Sequence, residues 1–279
     1  MAFWQEIIGT PPENRSLYRP RKTGVTMVLD KGLGLAETQD LLEVASSYLD
    51  FLKLGFGTAA LYNPSFLAKK IELVRSYGID IYPGGTFLEI AMARGRLAPC
   101  LKQLLDLGFT TVEISDGSVS LDRKTREYAL YLAKEMGFTV LAEVGKKNPS
   151  IYLNPAEMAR QVIADLEAGA RWVIIEGREN GCQTGVYDAR GRIKEGIYQT
   201  FLAAVKDPAV IIWEAPRKSQ QVEFINRFGP DVNLGNIPPG EVLALEAMRR
   251  GLRGDTINVS LRDEQERDAR MRVQESISG

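Results

Sequence analysis

Between residues 25 and 255 the chain repeats one pattern eight times: a short apolar run, then a stretch with helical spacing. The strand-like runs fall at 25–30, 51–54, 79–82, 111–115, 138–144, 172–176, 210–214 and 232–234. The helical stretches fall at 36–48, 64–77, 97–107, 122–136, 155–168, 197–205, 219–228 and 241–250. Pro64 suits the first turn of its helix, and Gly78, Gly108, Gly137, Gly169 and Gly251 act as stops. Alternation of this kind implies a parallel sheet, because parallel strands need a crossover between them. Eight such units in 279 residues match an α/β fold closed as a (β/α)8 TIM barrel. A doubly wound sheet is the alternative, but its G-x-G-x-x-G fingerprint after the first strand is absent. We therefore expect a single barrel at 25–255. A polar extension at 1–24 precedes it, and a charged tail at 256–279, read as a surface helix or a frayed end, follows.

Composition narrows the chemistry. With 35 Lys plus Arg against 36 Asp plus Glu, the chain offers no basic surface for nucleic acid. No run approaches the ~20 apolar residues that a membrane span requires, and the N-terminus lacks the order of a signal peptide. Two cysteines, Cys100 and Cys182, are too few for a disulfide framework, which points to a reducing cytoplasm. There is no histidine. That excludes Ser-His-Asp and Cys-His catalysis and His-bearing zinc sites within this chain. General acids and bases must be Lys, Asp, Glu, Tyr or Cys.

Active sites of such barrels form at the C-terminal ends of the strands. Four successive strands carry a glutamate there: Glu113, Glu143, Glu176 and Glu214. Asp30 and Lys31 end the first strand, and the second holds Lys53. Strand alternation puts Glu143 and Lys147 on one face and turns Lys146 away; the same count pairs Glu176 with Arg178. A lone strand-end glutamate is usually a salt-bridge partner. Four in register, in strands otherwise apolar, point to a site. Carboxylates gathered this closely repel one another, so Lys53, Lys147 and Arg178 must share the space, with a bound magnesium supplying further charge. The turn Pro83-Gly84-Gly85-Thr86 offers free N–H groups for an anion, although a plain tight turn explains it equally well. Leu234-Gly235-Asn236 and Gly251-Leu252-Arg253-Gly254-Asp255 flank the last unit, where many barrels hold phosphate. These residues suit a substrate bearing carboxylate and phosphate.

Six ordered motifs carry a resemblance: Val28-Leu29-Asp30-Lys31-Gly32-Leu33, Tyr82-Pro83-Gly84-Gly85-Thr86, Glu113-Ile114-Ser115-Asp116-Gly117, Glu143-Val144-Gly145-Lys146-Lys147, Ile174-Ile175-Glu176-Gly177-Arg178-Glu179 and Arg249-Arg250-Gly251-Leu252-Arg253-Gly254-Asp255-Thr256. From 24 to 256 the chain resembles the phosphosulfolactate synthase family. The resemblance implies a (β/α)8 barrel of the carbon–sulfur lyase class that adds sulfite to phosphoenolpyruvate with magnesium, giving (2R)-phospho-3-sulfolactate, a first step towards coenzyme M. Sulfite would attack the methylene carbon, the metal would stabilise the enolate, and C2 would then be protonated. By motif position Lys147 matches the family's proposed general acid, with Glu143 and Lys53 beside it as catalytic candidates. Glu113, Asp116, Glu143 and Glu176 are the expected metal ligands or their supports, with Asp30 and Glu214 behind them. Lys31, Gly84, Gly85, Thr86, Ser115, Arg178, Lys218, Asn236 and Arg253 are the expected substrate contacts.

The chain departs from the family pattern in three places. Leu54-Gly55-Phe56-Gly57-Thr58-Ala59 stands for Phe-Gly-Trp-Gly-Thr-Ser, Ala215-Pro216-Arg217-Lys218 for Ala-Pro-Gln-Lys, and Glu179-Asn180-Gly181-Cys182-Gln183 for Glu-Ser-Gly-Lys-Gly, which removes a lysine. Two alternatives therefore stay open: a related barrel with a different nucleophile or acceptor, and a non-catalytic protein like the plant heat-stress-associated relatives. The long flanking segments leave room for contacts in a homo-oligomer, which we expect.

Overall fold

The structure is a computed structural model and describes residues 4, 18–148, 151, 154–183 and 185–258. Eight parallel strands form one sheet: β1 (Thr26–Asp30), β2 (Phe51–Leu54), β3 (Asp80–Pro83), β4 (Thr111–Ile114), β5 (Thr139–Val144), β6 (Trp172–Ile175), β7 (Ile211–Glu214) and β8 (Leu234–Ile237). Their order is β3-β2-β1-β8-β7-β6-β5-β4, and β3 and β4 lie side by side to make the nearly closed ring of a (β/α)8 barrel. The helices are α1 (Leu35–Ala45), α2 (Pro64–Ser76), α3 (Gly85–Ala93), α4 (Leu97–Leu107), α5 (Arg123–Glu135), α6 (Pro155–Ala168), α7 (Glu195–Ala204), α8 (Lys218–Phe228) and α9 (Val242–Arg249).

Period-two alternation sorts the side chains. Val112, Ile114, Val140, Ala142, Val144, Val173 and Ile175 point outward and join the large core under the helices. Outside β7, Trp213 stacks on Phe224 at 5.1 Å and on Phe228 at 5.9 Å, which seats α8. Val25, Met27, Phe51, Tyr82, Leu141, Trp172, Ile174 and Ile212 form a second cluster inside the ring. Phe51 meets Trp172 edge-on at 5.6 Å and Tyr82 at 6.3 Å, filling the lower barrel with aromatic rings. Further along the same inward faces the residues turn charged. The lower barrel is therefore a plug, and the chemistry is confined to the upper end.

Local signals explain most boundaries. Asn63 caps α2 by accepting from Ser65 N at 3.0 Å, with Pro64 next, and Asp122 caps α5 by accepting from Thr125 N at 3.0 Å; such caps contribute ~1 kcal/mol each. Two expectations shift. The last strand begins at Leu234 instead of 232, because the Asn233 side chain bridges the backbone on either side of it, accepting from Val25 N at 2.9 Å and donating to Ile211 O at 3.1 Å. The helix expected at 97–107 is α4, and a second helix that the spacing did not mark, α3, precedes it, the two divided near Gly95 (φ 65°). The surface-helix reading of the charged tail falls on 259–279, outside the described residues. Among the described residues no helix is long and apolar enough to cross a membrane.

Candidate active site

At the C-terminal end of the barrel, Lys53, Glu113, Glu143, Glu176 and Glu214 project inward from β2, β4, β5, β6 and β7, all nearly inaccessible to solvent. Lys53 Nζ lies 2.9 Å from Glu113 Oε2, 3.3 Å from Glu214 Oε1 and 3.4 Å from Glu143 Oε2. This ammonium forms the floor of a cavity of about 160 Å³. Backbone donors complete the floor: Gly85 N gives 2.8 Å to Glu113 Oε1, and Gly177 N gives 2.8 Å to Glu214 Oε2. Taking charges out of water costs several kcal/mol per ion. These ion pairs and N–H groups offset that cost, and a sequence without function has no reason to assemble them.

Lys147 enters from the side. Its Nζ is 3.4 Å from Glu143 Oε1 and 3.8 Å from Glu176 Oε2, and it donates to Thr86 Oγ1 at 3.1 Å. Lys146 turns the other way, to Asp116 Oδ2 at 2.5 Å. Two glycines make the packing feasible. Gly145 takes φ 142°, and a Cβ there would collide with Glu176; a Cβ at Gly85 would collide with Ser115 and Glu113. Leu29, Phe56, Gly84, Arg178, Glu179 and Asn236 complete the cavity wall. Phe56, Arg178 and Asn236 share positive φ values of 58°, 58° and 54°, conformations that non-glycine residues rarely hold and that cluster at functional sites.

The charges act on one another. Burial raises the Glu113 carboxyl to about 7, with Lys53 working against it. Burial also opposes ionisation of Glu143, but Lys147 and Lys53 prevail and hold it down to about 2. Glu176 is pushed well up by burial and by the neighbouring Glu143 and Glu214. Burial disfavours the Lys147 ammonium, yet Glu143 and Glu176 keep it charged and raise its pKa. Lys53 behaves likewise under Glu113, Glu214 and Glu143.

Some expected residues lie elsewhere. The structure does not bring Asp116 to the cluster: Arg126 Nη1 holds it at 3.1 Å and Lys146 at 2.5 Å. Asp30 faces outward, bound to Lys70 at 2.5 Å and to the N–H groups of Gly32 and Leu33 at 2.7 Å, so it shapes the loop after β1. Lys31 stands at the rim, 3.4 Å from Glu179. Lys218 and Arg253 both turn to Asp255, at 2.6 and 3.6 Å, outside the cavity wall. Ser115 donates to Glu89 at 2.5 Å instead of facing the cavity. Two of the departures meet: Arg217 Nε donates to Asn180 O at 2.7 Å, so the arginine fastens the loop that carries Cys182. Glu89 and Tyr187 escaped the sequence reading. Tyr187 OH donates to Glu214 O at 2.5 Å from a loop, where no periodicity marks it.

Glu143, Glu176 and Glu214 each offer one oxygen, all within 4.8 Å of one another and all buried. Three carboxylates this close require a cation or a shared proton between them. Glu176 Oε2 is buried without a hydrogen-bond donor. An all-oxygen set with an unsatisfied carboxylate suits a hard divalent ion, so the three residues fit a metal.

A family model described as (2R)-phospho-3-sulfolactate synthase (ComA) matches residues 14–255. The phosphosulfolactate synthase of Methanothermobacter thermautotrophicus is 47% identical over 89% of this chain and 95% of its own length. That of Bacillus subtilis is 35% identical over 85% of this chain and 94% of its own length. A solved structure of a putative fructose-1,6-biphosphate aldolase from Coccidioides immitis superposes with a TM-score of 0.57 over 87% of this chain and 94% of that one; at 14% identity it attests the barrel alone. The strand-end glutamates, the cavity they line and the extent of these matches agree: this chain belongs to the (2R)-phospho-3-sulfolactate synthase family.

Proposed function

We propose that the chain adds sulfite to phosphoenolpyruvate, giving (2R)-phospho-3-sulfolactate, with Lys147 as the proton donor. The observation that carries this reading is the Lys147 ammonium, held at 3.1 Å by Thr86 and at 3.4 Å by Glu143, on the open side of a buried carboxylate cluster.

The sulfur lone pair of sulfite forms a bond to C3, and the C2–C3 π pair moves towards C2 and the substrate carboxylate. Lys147 then delivers its proton to C2 and recovers one from water, so no bond to phosphate or carboxylate breaks. Magnesium, held by Glu143, Glu176 and Glu214, would polarise the substrate carboxylate and stabilise charge accumulating there. Glu143 keeps the Lys147 ammonium charged until the proton moves. Lys53 pairs with Glu113 and Glu214, which offsets part of the cost of burying them away from water. Thr86, at the start of α3, and Arg178 and Asn236, at the mouth, are the groups we assign to the substrate's anionic ends. The turn's expected free N–H groups at Gly84 and Gly85 are already given to Leu54 O and Glu113 Oε1, so these glycines only border the cavity. Lys31 at the rim draws anions inward. In this reading the enzyme works on small anions in the cytoplasm as a homo-oligomer, without nucleic acid or membrane.

The test is purified protein with magnesium chloride, phosphoenolpyruvate and sulfite, followed by mass spectrometry for phosphosulfolactate. Product that requires all three supports the reading. Turnover of phosphoenolpyruvate with another nucleophile but none with sulfite would replace it by the related-barrel alternative.

A further inference from the structure

We propose that Glu89 is a positioning residue that sets the place of Lys147 through the loop joining β4 to α5. The proposal rests on the reading of Lys147 as proton donor. Glu89 sits on α3, one turn after Thr86, fully buried and outside the wall of the substrate cavity. Its Oε1 accepts from Ser115 Oγ at 2.5 Å and Gly117 N at 3.1 Å. Its Oε2 accepts from Ser118 N at 2.8 Å and Val119 N at 3.0 Å. Four donors on one carboxylate clamp residues 115–119 onto α3, and charge-assisted bonds of this kind are about twice as strong as neutral ones.

The clamped loop meets Lys147 twice. Gly117 O accepts from Lys147 N at 3.1 Å. The α-carbon of Gly117 lies beneath the lysine stem: a Cβ added there would stand 3.2 Å from Cγ and 3.3 Å from Cδ and Cε. Glu89 Oε1 itself is 3.9 Å from Lys147 Nζ, too far for a hydrogen bond. The carboxylate thus reaches the amine by charge across that gap and by the loop, which fixes where the stem rests. Functional groups have to be held within ~0.5 Å of productive geometry, and a ~1 Å misplacement can cost ~10²-fold in rate. Position 89 shows no such role in sequence, because it is an ordinary glutamate within a helix. The contact that matters is with a loop 28 residues away.

Glu89→Gln keeps the size, removes the charge and aims an NH2 group at N–H donors. The expected result is a kcat lower by ~10–100-fold with the phosphoenolpyruvate KM within ~3-fold. Hydrogen exchange at the amides of Gly117, Ser118, Val119 and Lys147 should quicken at least ~10-fold, while amides in the strands stay protected. Gly117→Ala tests the same link if Glu89→Gln does not fold: it leaves the Glu89 bonds in place, pushes the lysine stem, and should lower kcat while 118 and 119 stay protected. Wild-type kcat in Glu89→Gln or in Gly117→Ala overturns the proposal, and so does unchanged exchange at 117–119 in Glu89→Gln. Should the wild-type protein make no product from sulfite and phosphoenolpyruvate, the functional reading falls; the exchange arm still decides whether Glu89 holds the loop and, through it, the Lys147 backbone.

Discussion

Lys53 Nζ lies 2.9 Å from Glu113 Oε2, with both side chains withdrawn from solvent at the floor of the barrel mouth. The same ammonium also serves Glu143 and Glu214. One lysine thus keeps three carboxylates tolerable in a place where each alone would be expensive. Removing it leaves buried charge without a partner, a loss of about 3–5 kcal/mol. Lys53→Met should lower the unfolding free energy extrapolated from urea titration by that amount, with a lower midpoint, and adding Glu113→Gln to Lys53→Met should recover part of it. An unchanged midpoint in Lys53→Met would mean that the cluster is held otherwise.

The same pair sets a pH dependence in metal-free protein. Burial lifts Glu113 from its ordinary 4.5 to about 7, so the folded chain binds a proton that the unfolded chain has released. Stability from this source is complete below pH 4.5 and is lost as pH rises through 7. Glu143 runs the other way: held down to about 2 against 4.5, it adds stability above 4.5 that is lost as pH falls towards 2. Thermal melts in chelator should show Glu113→Gln flattening the neutral limb and Glu143→Gln flattening the acid limb. Melting curves whose limbs ignore both substitutions would contradict these assignments.

Metal binding should reside in three glutamates and leave a fourth acid untouched. With excess magnesium the melting temperature of the wild-type protein should rise, because a ligand that binds only the folded state stabilises it by mass action, by ~2.7 kcal/mol at 100 times its Kd. Glu143→Gln, Glu176→Gln and Glu214→Gln should each reduce the shift. Asp116→Asn should keep it, since Asp116 belongs to Arg126 and Lys146. A shift lost in Asp116→Asn and kept in the other three would reverse the ligand assignment.

The two adjacent lysines offer an internal control. Lys147→Ala should cost ~10²–10⁴-fold in kcat, the usual worth of a general acid, with a smaller change in KM. Lys146→Ala should stay within ~10-fold, because Lys146 supports Asp116 and does not line the cavity. Steady-state kinetics on the two variants separates the roles.

The barrel could be read from the sequence because its information is local. Apolar runs of four to six residues, Pro64, and the glycine stops each report their element without reference to a partner. The last strand slipped because Val232 and Asn233 look like its start, whereas the Asn233 amide is committed to neighbouring backbone. Glu143 was legible because alternation along β5 turns it inward; Lys147 lies past the strand end, beyond Gly145 at φ 142°, and still comes to 3.4 Å from Glu143. Asp116 was named from the family motif, whereas alternation alone sets it on the face opposite Glu113, where the structure has it. It lies past the end of β4, where the chain is already a loop, and its direction depends on Arg126 from α5. Glu89 was invisible for want of any periodic signal, since its partners are loop amides that only the folded chain brings together.

Proton NMR of the reaction in D2O tests the central claim most directly, with wild-type and Lys147→Ala proteins given magnesium, phosphoenolpyruvate and sulfite. The account predicts phosphosulfolactate carrying deuterium at C2 from the wild-type protein, and formation slowed by ~10²–10⁴-fold in the variant. No phosphosulfolactate from the wild-type protein, or an undiminished rate in Lys147→Ala, would contradict it.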